Sequence, residues 1–210
     1  MLTTGAYYCG PAFLGPCHPL PVWVPNGTVP DVFKGNLYYL AEAEASGTDI
    51  SKRPKDDLTL TSTRQLGLLS DEGSPAAIEA EFQRARDAAA AGHDLLAKID
   101  PSKHPDHVRD EIAEQQAMGE YLYRTFRATV NTIRFVRLIE EASGDRKSIR
   151  PTLLEIARDE LANAAAALTM YERAPWLSHH LRLDVGMPPS IEMVREKIRL
   201  LEKYLADGNL

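Results

Sequence analysis

The sequence predicts a mainly α protein: an antiparallel up-down bundle of about four helices behind an irregular, aromatic and Pro-rich N-terminal segment. Three observations carry this. Apolar residues recur at steps of three and four through most of residues 74–210. Each periodic stretch ends at a Pro or a Gly. Six of the 14 prolines fall within residues 1–30, which excludes a helix there.

The chain divides into three parts. Residues 1–47 hold the aromatic segment and a short helix over 31–46, with Asp31 as N-cap and Val32, Phe33, Leu37 and Leu40 on one face. Residues 48–73 are polar and read as a linker or arm, with a short alternation at 58–61 that suggests an edge strand. The bundle domain spans 74–210.

The first bundle helix opens at Ser74-Pro75, an N-cap followed by Pro at the first helical position. Ile78, Phe82, Ala85, Ala89, Leu96 and Ile99 form its stripe, and Asp100-Pro101 ends it. The second runs from about Pro105 to Ala142, roughly 55 Å at 1.5 Å per residue. Its stripe is Val108, Ile112, Leu122, Phe126, Ile133 and Val136, widened by Met118, Tyr121, Ala128 and Phe135. The third spans about Ser148 to Arg173, on Leu154, Ala157, Leu161, Ala164, Leu168 and Tyr171. The fourth starts at Ser190, on Ile191, Val194, Ile198, Leu201 and Leu205, with Gly208 as its stop. Connections of this length join antiparallel neighbours.

With 210 residues and a 44% apolar share, the chain can bury a core without disulfides. A net charge of −6 argues against non-specific nucleic-acid binding, and no apolar run is long enough for a membrane span. The N-terminus lacks the charged and unbroken apolar regions of a secretory signal, so a cytoplasmic location is the default expectation.

Residues 1–30 carry no charge, and seven of the 15 aromatic residues lie in the first 40. Such a segment needs a surface to pack on. Either it wraps the later helices or it is the edge of an upstream domain. Tyr7, Tyr8, Phe13 and Trp23 are its candidates for domain or carbohydrate contacts.

No phosphate loop, dinucleotide fingerprint, nucleophile elbow or zinc-protease motif is present, and no cofactor is expected. No His follows a Glu by three residues, which removes the di-iron bundle pattern. His104, His107 and Asp110 are the weak metal candidates; Pro105 between the imidazoles favours a helix cap with solvated histidines. His179-His180 reads as a packed or surface pair, and Cys9 and Cys17, followed by His18, as buried thiols. The carboxylate pairs Glu111/Glu114 and Asp159/Glu160 read as solvated helix faces rather than a glycosidase pair.

Arg124, Arg127, Asn131 and Arg134 step by three and four along the second helix. Glu155 and Asp159 lie at comparable spacing on the third. An Arg-to-carboxylate seam between the two helices is the economical reading, and it fixes register more than it stabilises.

Two stretches carry a resemblance. One is Gly10-Pro11-Ala12-Phe13-Leu14-Gly15-Pro16 through Pro19-Leu20-Pro21-Val22-Trp23. The other combines Tyr121, Arg124, Asn131 and Arg134-Phe135 with Asp159-Glu160-Leu161-Ala162-Asn163, Leu181-Arg182-Leu183-Asp184-Val185-Gly186 and Lys197-Ile198. Together they resemble the C-terminal helical region that follows the barrel in large bacterial glycoside-hydrolase-like proteins of the α-glucuronidase and hexosaminidase kind. The resemblance implies a non-catalytic accessory domain, with an upstream catalytic domain or carbohydrate as partner and the catalytic carboxylates elsewhere. Two alternatives stand beside it: a self-contained metal- or ligand-binding bundle, and a module that dimerises through residues 1–40.

Overall fold

The computed structural model describes residues 15–17, 20, 22, 75–142, 145–179 and 190–207. The short helix at 31–46, the edge strand at 58–61 and the arm at 48–73 lie outside them. Among the described residues the fold is four α-helices: α1 (Pro75–Ala97), α2 (Asp106–Glu141), α3 (Arg146–Arg173) and α4 (Ser190–Asp207). Short 3-10 turns lie at Gly15–Cys17, Pro101–Lys103 and Pro175–His179. The helix boundaries fall within a few residues of those read from the apolar periodicity.

Consecutive helices pack on one another: α1 on α2, α2 on α3, and α3 on α4. Among the described residues the bundle does not close on itself. α1 lies along α2 and makes no comparable contact with α3 or α4. Instead the turn at Gly15–Cys17 packs against α2, α3 and α4 together. This much of the N-terminal segment packs on the helices.

Two apolar clusters form the core. One gathers Phe82, Val130, Ile133, Ala164, Tyr171 and Val194 around Cys17. The other gathers Phe135, Ile139, Leu153, Leu201 and Tyr204 around Leu20 and Val22. The N-terminal segment thus supplies side chains to both, and Cys17 and Leu20 are as buried as any helical residue. Residues 15–17, 20 and 22 are core elements of the bundle.

Three buried threonines on α2 need no partner from another helix. Thr125, Thr129 and Thr132 donate their hydroxyls to the carbonyls of Tyr121, Thr125 and Ala128, one turn back. At the far end, Gln116 Nε2 donates to the carbonyls of Leu96 and Ile99 at 2.8 and 3.0 Å. That gives the Ile99 carbonyl a donor just past the end of α1 and the Leu96 carbonyl a second one beside the Ile99 N–H.

The stripes differ from the sequence reading at several places. Leu122 is 44% exposed and Ile99 lies beyond the end of α1 at 38%. On α3 and α4 the buried face is rotated relative to the apolar stripe. Leu154, Leu161, Leu168, Ile198 and Leu205 are only half-buried, while Glu160, Asn163 and Lys197 are inside.

Gly92 lies in mid-α1, where an added Cβ would meet nothing within 4 Å. Gly92→Ala is therefore expected to stabilise the protein by about 0.5–1 kcal/mol, through helix propensity alone. Urea unfolding checks this. A midpoint unchanged or lowered would show that α1 is covered at that point.

Candidate functional site

The concentration of buried polar groups lies under the N-terminal turn, where α2, α3 and α4 converge. Lys197 sits on the inner face of α4, in step with Val194, Leu201 and Tyr204. It is 1% exposed. Its Nζ pairs with Glu160 Oε1 of α3, which is fully buried, and donates to the Pro16 carbonyl at 2.8 Å. Glu160 Oε2 accepts from Asn131 Nδ2 of α2 at 2.7 Å. The same amide nitrogen donates to Asp159 Oδ2, also at 2.7 Å. Arg127 closes the network with a two-pronged contact: its Nε lies 3.0 Å from Asp159 Oδ2, and its Nη2 pairs with Oδ1.

The network runs from the dry core to the surface. Lys197, Glu160 and Asn131 are buried, while the Arg127 and Asp159 side chains are partly open to water. Burial pushes the Asp159 carboxyl up, but hydrogen bonds from Arg127 and Asn131 outweigh it and hold the group below its ordinary value. The same hydrogen bonds, donated by Arg127 to Asp159, raise the Arg127 guanidinium against its own desolvation. A buried lysine and glutamate in direct contact are tolerable only when further hydrogen bonds complete the geometry. Here Pro16 and Asn131 supply them.

The turn is held from its other side by aromatic rings. Gly15 has φ +62, in the left-handed region. A Cβ there would fall 2.6 Å from Tyr121 Oη and 3.1 Å from two carbons of its ring. Tyr121 meets Tyr171 edge-on, with centroids 6.5 Å apart. Burial, with the nearby Cys17 thiol, pushes the Tyr121 phenol up to about 12, so it stays a neutral hydroxyl beside the turn. Asn163 adds a tie between α3 and α2, its Nδ2 donating to the Arg124 carbonyl at 3.1 Å.

The seam between α2 and α3 is narrower than the spacing implies. Arg127, Asn131 and Asp159 meet in it. Arg124 turns instead to Glu120 on its own helix, with Nε 2.8 Å from Oε1. Arg134 and Glu155 are exposed and form no ion pair among the described residues. The reading of Asp159/Glu160 as a solvated face is corrected at Glu160, which is fully buried because Lys197 and Asn131 meet it inside the bundle.

The remaining candidates are placed as follows. His104, His107 and Asp110 are all exposed at the start of α2, and no group of three or more metal-ligating side chains gathers among the described residues. Glu111 and Glu114 are exposed. Cys17 is buried. Tyr7, Tyr8, Cys9, Phe13, His18, Trp23 and His180 lie outside the described residues, as does the side chain of His179. No described helix is long and apolar enough to cross a membrane.

A second polar group lies near the other end of α2. Glu120, 8% exposed, takes Arg124 on Oε1 and Arg173 Nη2 on Oε2 at 2.5 Å. Burial raises its carboxyl, but the two guanidiniums outweigh that and hold it below its ordinary value. It borders a cavity of ≈ 340 Å³ that no member of the Lys197 network lines.

Lys197 Nζ is held by two oxygens in a dry core, with its charge spent on Glu160. That arrangement suits fastening, since a nucleophilic lysine needs a free neutral amine and a cleft. No family model, no curated protein and no solved structure matches this chain.

Proposed function

We propose that this chain is a non-catalytic helical accessory domain that fastens the aromatic, Pro-rich segment preceding its helices, and that it serves as the C-terminal helical part of a carbohydrate-active, glycoside-hydrolase-like protein. The observation that supports the fastening role is the bond from buried Lys197 to the Pro16 carbonyl. The charges at this site are spent on each other and on that carbonyl, and none faces the cavity at the other end of α2. The carbohydrate assignment rests on the resemblance of the opening segment and of the α2–α4 residues quoted above. The metal-binding alternative draws no comparable support, because His104, His107 and Asp110 lie exposed on the surface.

The test is direct. The 210-residue chain is incubated with a panel of aryl glycosides covering hexosides, hexosaminides and uronides. Release of the aryl alcohol is expected to match the buffer blank. Turnover that disappears in Glu160→Gln would overturn the reading, since it would make the buried carboxylate a catalyst.

A further inference from the structure

The cavity beside Glu120 has a composition that no structural duty explains. Its apolar wall includes Ala117 of α2, Ala174 just after α3, and the indole of Trp176, which is 39% exposed. Alanines leave the space open where larger side chains would fill it. Its polar wall holds His93, Glu114 and Gln116 together with the Glu120–Arg173 pair. Arg173 uses a single N–H on Glu120, and among the described residues its Nε and Nη1 make no hydrogen bond. Glu120 Oε2 takes that one bond and retains acceptor capacity.

Donor and acceptor therefore sit side by side at one point of the cavity, next to a flat apolar ring. The lining carries Glu114 and Glu120 against Arg173, and Arg124, outside the lining but paired with Glu120, brings the local charge to balance. A charged ligand gains little from a balanced site. A pair of adjacent hydroxyls, each able to give and accept, complements a guanidinium–carboxylate pair. The volume is at the low end for small-molecule sites, enough for one ring. A pyranose carries both complements: a polar edge of vicinal hydroxyls and an apolar C–H face for an indole.

We infer that this cavity is a binding subsite for a single neutral pyranose ring, with Trp176 as its apolar platform and Arg173 with Glu120 as its hydroxyl clamp. The inference goes beyond the accessory-domain reading. The cavity is separate from the Lys197 network, so failure of one leaves the other standing.

Saturation-transfer NMR on the full chain tests it, with methyl pyranosides of several configurations, one uronate and a neutral trisaccharide. At least one neutral ring is expected to bind with a Kd on the order of 1 mM, the scale of a few contacts to a single ring. Binding is expected to weaken at least tenfold in both Trp176→Ala and Arg173→Met. Neither residue is buried, Arg173 being 61% and Trp176 39% exposed, so circular dichroism is expected to show both variants folded. Equal affinities for monosaccharide and trisaccharide would indicate a free sugar as ligand; a tighter trisaccharide would indicate a chain end. Either supports the subsite. No transfer to any neutral ring at tens of millimolar would overturn it. So would binding unchanged in both variants, or a uronate that binds tenfold better than every neutral ring.

Discussion

Lys197→Met is expected to lower folding stability by about 3–5 kcal/mol, the scale of leaving a buried charge without its partner. Methionine fills much of the same volume, so little of this loss is cavity. It comes from what stays behind. Glu160 is fully buried, and without Lys197 its remaining partner among the described residues is the Asn131 amide. The Pro16 carbonyl also loses its donor. Urea unfolding of the full chain measures the loss. The double variant Lys197→Met/Glu160→Met separates charge from shape. With both charges gone nothing ionic is stranded, and the double variant is expected to be more stable than Lys197→Met. A single variant within about 1 kcal/mol of the parent, the scale of an exposed ion pair, would show that water reaches the pair. Amide exchange adds a local readout. Protection at the Val22 amide, which donates to the Leu20 carbonyl at 2.7 Å, is expected to fall further than protection in mid-α1, which shares no partner with Lys197.

That buried pair also marks where sequence reading stopped. The four bundle helices were legible because Pro, Gly and the three-four periodicity agree on where each begins and ends. An Arg-to-carboxylate seam was legible because Arg127 and Asp159 each lie on a polar helix face, though which members of the two faces meet was not. Glu160 and Lys197 were not, for a physical reason. A charge is normally excluded from a buried stripe, so the stripes on α3 and α4 were drawn around them, through Leu161 and Ile198. Admitting the charges gives unbroken steps: Leu153, Ile156, Glu160, Asn163 and Ala167 on α3, and Val194, Lys197, Leu201 and Tyr204 on α4. These are the faces that are buried. A lone buried Glu or Lys would be prohibitive, and only the pair makes either face tolerable. Pairing residues 37 apart on two helices requires their relative register, which one sequence does not contain. The N-terminal segment was legible as needing a surface, from its aromatics and its lack of charge. That its backbone carbonyl would complete an ion pair was beyond any pattern of side chains.

Gly15→Ala addresses that turn from the opposite side and is expected to cost about 2–5 kcal/mol, from two separable sources. The first is conformational: at φ +62 an L-residue with a Cβ is disfavoured by about 1–2 kcal/mol, whatever space is available. The second is steric. The new Cβ would lie 2.6 Å from Tyr121 Oη, and the Tyr121 ring has its neighbour Tyr171 edge-on. Relief by turning that ring would disturb the packing of both tyrosines, and overpacking of this kind costs about 1–3 kcal/mol. Relief by moving the turn would draw the Pro16 carbonyl from Lys197 and re-create part of the first variant's defect. The background Tyr121→Phe distinguishes the two sources. It removes the oxygen of the closest contact and leaves the two ring carbons at 3.1 Å. Gly15→Ala is therefore expected to cost less in Tyr121→Phe than in the parent, while the conformational part persists in both. Equal costs in the two backgrounds would mean that the hydroxyl is not what Gly15 avoids. A cost below about 1 kcal/mol in the parent would fall short even of the left-handed backbone penalty, and would detach the turn from the socket that α2, α3 and α4 form around it.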